Sequence, residues 1–193
     1  MARDRAARAE AKPLRLFVAV EVPDHVREVV AQSLAPFEAE FPEARWVPLE
    51  NWHVSVKFLG RTWPRLHSWV EDRVADVARS HERFTVRIHG LGAFPSPSRA
   101  RVVWAGIEDR SARLAELALG LDAALASEFE PETRAFRPHL TVARSDPPLA
   151  LPASFAAAEA SSEPFAVERI VLFRSHLRRP APVYEPLADF PLG

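Results

Sequence analysis

The sequence predicts a duplicated α+β fold, two strand-helix-strand-helix-strand units related by a pseudo-two-fold axis with a cleft between the halves. Two observations predict it. The same order of apolar patterns occurs twice along the chain, and the spacings agree. From the first strand of each unit to a His-headed strand is 39 residues in one half and 38 in the other; from that His to the next Phe-x-Val strand is 31 and 26.

The first unit opens at Leu14–Val22 (LRLFVAVEV), an apolar, β-branched run ended by Pro23. Asp24 is placed to N-cap a helix over 25–37, whose Val26, Val29, Val30 and Leu34 share one face. In 53–59 (HVSVKFL), Val54, Val56 and Phe58 alternate with His53, Ser55 and Lys57, which predicts a half-buried strand with its polar set on one face. Residues 66–78 have helical spacing, and 84–88 (FTVRI) read as a strand. The second unit repeats this with a strand over 101–107, an amphipathic helix over 112–129, a strand over 139–143 (HLTVA), a short Ala-rich helix near 153–160 and a strand over 165–173. Segments 60–65, 94–100 and 145–152 carry Gly, Pro or Ser at loop density.

Composition narrows the function classes. The chain has 193 residues, 48% hydrophobic and 26% charged, which fits a soluble globular protein. Residues 1–13 read as a flexible tail and 14–193 as one domain. A net charge of -1 removes the global positive field that would hold a long nucleic acid nonspecifically, so any such contact must be local. The absence of cysteine excludes disulfides, a thiolate nucleophile and Cys-based metal sites. No apolar run approaches the roughly 20 residues of a membrane span. The expectation is a cytoplasmic protein with no membrane contact and no obligate protein partner.

The candidate chemistry lies in the repeat. His53-Val54-Ser55-Val56 and His139-Leu140-Thr141-Val142 occupy the same place in the two units. One His-x-Ser/Thr is a weak signal; the shared position makes the pair specific. Residues i and i+2 of a strand project from one face about 7 Å apart, so each unit offers an imidazole beside a hydroxyl. Facing across a cleft, two such units suit a phosphate ester. One imidazole accepts a proton from water, the other delivers one to the departing oxygen, and the hydroxyls donate to the non-bridging oxygens. No other His, Asp or Glu accompanies either motif at a metal-ligand spacing, so no metal and no cofactor is expected.

HVSVKFLG and FRPHLTVAR resemble the two signatures of the 2H phosphoesterase superfamily. RLFVAVEVP, LGAFPSPSRARVVWAGI and LFRSHLRRPAPVYEPLADFPL are similar to its RNA 2',3'-cyclic phosphodiesterase branch, historically called 2'-5' RNA ligase. Ser55 stands where Thr is usual, and Ala181 where Gly is common. The resemblance implies a bilobal fold with antiparallel sheets lining a central cleft and helices outside. It also implies metal-independent hydrolysis of an RNA-terminal 2',3'-cyclic phosphate to a 2'-phosphate, with His53 as acid, His139 as base, and Ser55 and Thr141 on the phosphate oxygens. The substrates would be RNA 3' ends or small cyclic nucleotides. Alternatives at the same site are 2'-5' RNA ligation and hydrolysis of a small cyclic nucleotide or ADP-ribose cyclic phosphate. A noncatalytic RNA-end-binding module is the alternative of another class. On simple alternation Arg144 points away from His139; a bulge there would turn it to the phosphate, as the family pattern suggests. Phe58, Trp52 and Phe136 flank the motifs as candidates for stacking on a base.

Overall fold

The computed structural model describes residues 12–158, 160–179 and 181–193. The predicted tail lies outside the described residues except for Lys12 and Pro13. Among the described residues nine strands and four α-helices follow one another as β1 (Leu14–Glu21), α1 (Asp24–Glu40), β2 (Arg45–Trp46), β3 (His53–Thr62), α2 (His67–Arg79), β4 (Phe84–Phe94), β5 (Ala100–Glu108), α3 (Arg113–Leu125), β6 (His139–Leu149), α4 (Ala153–Ala157), β7 (Phe165–Val167), β8 (Arg169–His176) and β9 (Val183–Pro191).

The strands form a curled antiparallel sheet in the order β7-β4-β5-β6-β3-β1-β8-β9, with β2 against β6. Its centre is the seam between β3 and β6, where Val54 pairs with Leu140. Outward from the seam, one lobe runs β3, β1, β8, β9 and the other β6, β5, β4, β7, so the lobes match strand for strand and the duplicated α+β reading holds. The third strand of each unit crosses over. β4, from the first half of the chain, pairs with β5, and β8, from the second, pairs with β1.

One face of the sheet carries the core. There Val18, Val54, Leu140 and Val142 meet Val26 and Val30 of α1, Val70 and Val74 of α2, and Leu117 and Leu121 of α3, all nearly inaccessible to water. The 3.6-residue spacing of these helical positions and the alternation of the strand positions are what aim them inward. Truncating a fully buried leucine such as Leu140 to alanine costs about 2–5 kcal/mol, so the seam is well anchored from beneath.

Four expectations need correction. Pro23, not Asp24, caps α1; Asp24 lies in its first turn, where its charge suits the helix dipole, and pairs with Arg27 at 2.6 Å. β3, β4 and β6 run on through residues read as loop, because pairing with neighbours extends them past their apolar runs. The helix expected over 112–129 stops at Leu125. The run 165–173 is broken at Glu168, between β7 on β4 and β8 on β1. No helix among the described residues is long and apolar enough to cross a membrane.

Candidate active site

The two motifs flank the seam from opposite sides. In an antiparallel pair, matching Val54 with Leu140 sets His53-Val54-Ser55 head-to-tail against His139-Leu140-Thr141. Val54 and Leu140 are buried, while His53, Ser55, His139 and Thr141 are half-buried on the concave face. The expected meeting of two imidazoles and two hydroxyls is present.

Each ring is held by the main chain. His53 Nδ1 donates to the Asn51 carbonyl at 2.8 Å, and His139 Nδ1 donates to the Arg137 carbonyl at 2.7 Å. A carbonyl can only accept, so the neutral form of each imidazole carries its proton on Nδ1 and leaves the lone pair on Nε2. His53 Nε2 accepts from the Ser55 hydroxyl at 3.0 Å. Asn51 is itself buried and donates through Nδ2 to the Pro182 carbonyl at 2.7 Å, tying the His53 support to the loop before β9.

The ring environments differ. His53 sits against Phe17 at 4.8 Å between ring centres, with Tyr184 edge-on at 5.0 Å and Phe173 beyond at 6.4 Å. His139 has Phe94 edge-on at 5.3 Å and Trp104 at 6.4 Å. Burial among aromatic rings lowers the His53 pKa to about 4; the Asn51 carbonyl opposes this, and the charges of Arg144 and His139 add to it. In the free site His53 is therefore neutral at pH 7. Burial also raises the Tyr184 pKa, against the charges of Arg144 and Arg15, so its phenol stays protonated.

Matching bulges complete the site. In β3 the partners run from Ser55 opposite Ala19 to Lys57 opposite Val18, and in β6 from Thr141 opposite Trp104 to Ala143 opposite Val103. One residue is skipped each time, which reverses the facing of everything after it. Lys57 therefore turns inward, against the polar face expected for it, where it pairs with Asp122 of α3 and donates to the Glu130 carbonyl at 3.0 Å. Phe58 turns outward, 64% exposed, and joins the concave face beside Phe17 at 6.1 Å. Its counterpart in β6 is Arg144. The bulge brings it to the side of His139 and Thr141, where its charge is felt at both His53 and Tyr184.

Two predicted stacking residues are not placed for that task. Trp52 is buried and donates through Nε1 to the Val47 carbonyl at 2.9 Å; Phe136 packs partly buried against the main core. The half-buried rings beside the two histidines are Tyr184, Phe94 and Trp104, which sequence reasoning does not single out. Only the position of Trp104 and Phe94 near the second motif's partner strand offers a signal. Among the described residues no group of three or more His, Asp or Glu side chains comes together to hold a metal.

The family model of the 2'-5' RNA ligase superfamily matches residues 22–179. The chain is 30% identical over 180 residues to an RNA 2',3'-cyclic phosphodiesterase of Geobacillus stearothermophilus, an alignment covering 91% of this chain and 56% of that relative. It is 33% identical over 147 residues to the protein of that name from Aeropyrum pernix, covering 72% and 81%. Among solved structures, TT0787 of Thermus thermophilus superposes with a TM-score of 0.79 at 28% identity over 93% of this chain and 98% of that one. E. coli LigT complexed with 3'-AMP superposes with a TM-score of 0.76 at 27% identity over the same shares.

Proposed function

Because the chain belongs to the 2'-5' RNA ligase superfamily, we propose that it opens the 2',3'-cyclic phosphate at an RNA 3' end to a 2'-phosphate, with His53 and His139 moving the protons. The observation that carries this is the matched support of the two rings. Each Nδ1–H is occupied by a main-chain carbonyl, which leaves each Nε2 free of the main chain on the face that also carries Ser55, Thr141 and Arg144.

The steps follow from that arrangement. The cyclic phosphate enters across the seam, its non-bridging oxygens accepting from Ser55, Thr141 and Arg144. Ser55 must leave His53 Nε2 to do so, which frees that nitrogen. Water attacks phosphorus opposite the 3' oxygen, His139 Nε2 takes its proton, and protonated His53 gives one to the departing 3' oxygen. The 2' ester bond stays, the 3' bond breaks, and a 2'-phosphate and a 3'-hydroxyl result. Phe58, exposed on the concave face, offers its ring to the terminal base. Every step uses imidazole, hydroxyl or guanidinium groups of this chain, so no metal enters the scheme.

A second reading exchanges the two histidines. The lowered pKa of His53 leaves it neutral in the free site, with its lone pair available to act as base. A substrate with sulfur in place of the 3' oxygen decides between them, since thiolate leaves without a proton. Replacing the acid histidine by alanine should be harmless on that substrate, and replacing the base should not. The parent test is product analysis on a short RNA ending in a 2',3'-cyclic phosphate, with small cyclic nucleotides alongside. Binding without ring opening would overturn the enzymatic reading in favour of an RNA-end-binding module.

A further inference from the structure

The concave face continues past His139 along β5. Trp104, Gly106 and Glu108 alternate on that face, and Gly106 lies opposite His139. Four residues of strand carry the surface on the order of 14 Å from Trp104 to Glu108. The stretch between is nearly bare of side chains. A Cβ on Gly92 would lie 2.2 Å from the Trp104 ring, and one on Gly106 would lie 2.5 Å from the His89 carbonyl oxygen, so Trp104 lies flat over Gly92 and the main chain of His89 forms the floor at Gly106.

At the far end of this floor is a cavity of about 490 Å³ around the start of β4 and the loop into α3, lined by Arg83, Arg87, Arg110 and Arg113 with Glu108 among them. Four guanidinium groups thus surround one carboxylate. Glu108 is shared between Arg87 and Arg110, the latter at 3.1 Å, and Arg113 reaches Glu82 at 3.2 Å and Glu116 at 3.9 Å. Arg83 makes no ion pair among the described residues. The cavity keeps a positive excess at one place on a chain whose net charge is -1.

We infer that this arginine cavity binds an internucleotide phosphate upstream of the RNA end, so that the site is built for a polynucleotide and not for an isolated cyclic nucleotide. The inference rests on the reading of the seam as a cyclic-phosphate site. Glu108, at the near edge of the cavity, lies two residues along β5 from Gly106, the partner of His139, or roughly 7 Å, the order of the spacing between successive phosphates of a strand, and the arginines stand around and beyond it on the same face. Guanidinium groups recognise a phosphate diester by paired N–H donors without reading sequence, which suits an enzyme that meets many RNA ends.

The test compares an oligonucleotide ending in a 2',3'-cyclic phosphate with a 2',3'-cyclic mononucleotide, in the full chain and in the Arg83→Gln, Arg110→Gln double variant. The wild type should have the lower KM for the oligonucleotide, and the variant should lose that preference by roughly tenfold, the order of one or two charge-assisted hydrogen bonds. Anisotropy of a labelled oligonucleotide ending in a 2'-phosphate should give a log-log salt slope shallower by about 0.7 for each phosphate the variant no longer neutralises. An unchanged KM ratio together with an unchanged salt slope would overturn the inference, even if inorganic phosphate bound the cavity. If the wild type opened neither cyclic substrate, the proposed activity would fall, and the salt slope would still decide the subsite.

Discussion

Replacing His53 by asparagine should remove a pH-dependent loss of stability. An exposed imidazole takes up its proton near pH 6.5, and His53 in the folded protein only near 4. Between those values the unfolded chain binds more protons, so stability that is complete above pH 6.5 drains away as pH falls toward 4. At about 1.4 kcal/mol per tenfold in proton affinity, the loss at this one residue is about 2–3 kcal/mol, the lower figure allowing for the ring edge that water reaches. The assay is urea unfolding followed by tryptophan fluorescence, near pH 7 and near about pH 4.5, for wild type and His53→Asn. Other groups titrate in both proteins, so the difference between the two pH dependences isolates His53. The Arg144→Gln variant should lie between them, because removing the guanidinium makes the imidazolium easier to form. Parallel curves for wild type and His53→Asn would refute the buried, neutral imidazole.

Three further outcomes are expected. His53→Ala and His139→Ala should each lower kcat by about 10²–10⁴-fold, with the double variant far from additive because the two act in one proton relay; near-normal turnover in either single variant contradicts this. Ser55→Ala and Thr141→Val should each cost on the order of 3 kcal/mol in kcat/KM, while Ser55→Thr keeps activity; values within twofold of wild type for both deletions would make these residues strand formers only. Exhaustive chelation should leave the initial rate on a cyclic-phosphate-ended oligonucleotide unchanged, and a loss restored by one divalent metal would recast the histidines as ligands.

What can be read from the sequence is what local period controls. The alternation in HVSV and HLTV announces both strands and both hydroxyl-imidazole faces, and the repeat spacing brings them together. The bulges at Val56–Lys57 and Val142–Ala143 cannot be read that way, because a bulge is a mismatch with the neighbouring strand. Hence simple alternation puts Lys57 and Phe58 on the wrong faces. Pro147 and Pro148 suggest a loop, yet β6 continues through them, between its pairings at Arg144 and Leu149. The rings around His53 come from β1, β8 and β9, so their meeting depends on strand order and not on any pattern near His53.

The crossing of β4 and β8 bears on how activity is acquired during folding. Each lobe is finished only when a strand from the other half of the chain has docked, and the pairing of Phe17 with Phe173 joins opposite ends of the chain. Contacts of such sequence separation close late and slowly, whereas α1, α2 and α3 form from neighbours in sequence. His53 lies against both Phe17 and Phe173, so its environment exists only after that late pairing. Helical signal should therefore return before catalysis in a refolding chain, and a protein that turns over substrate has its most distant strands already in register.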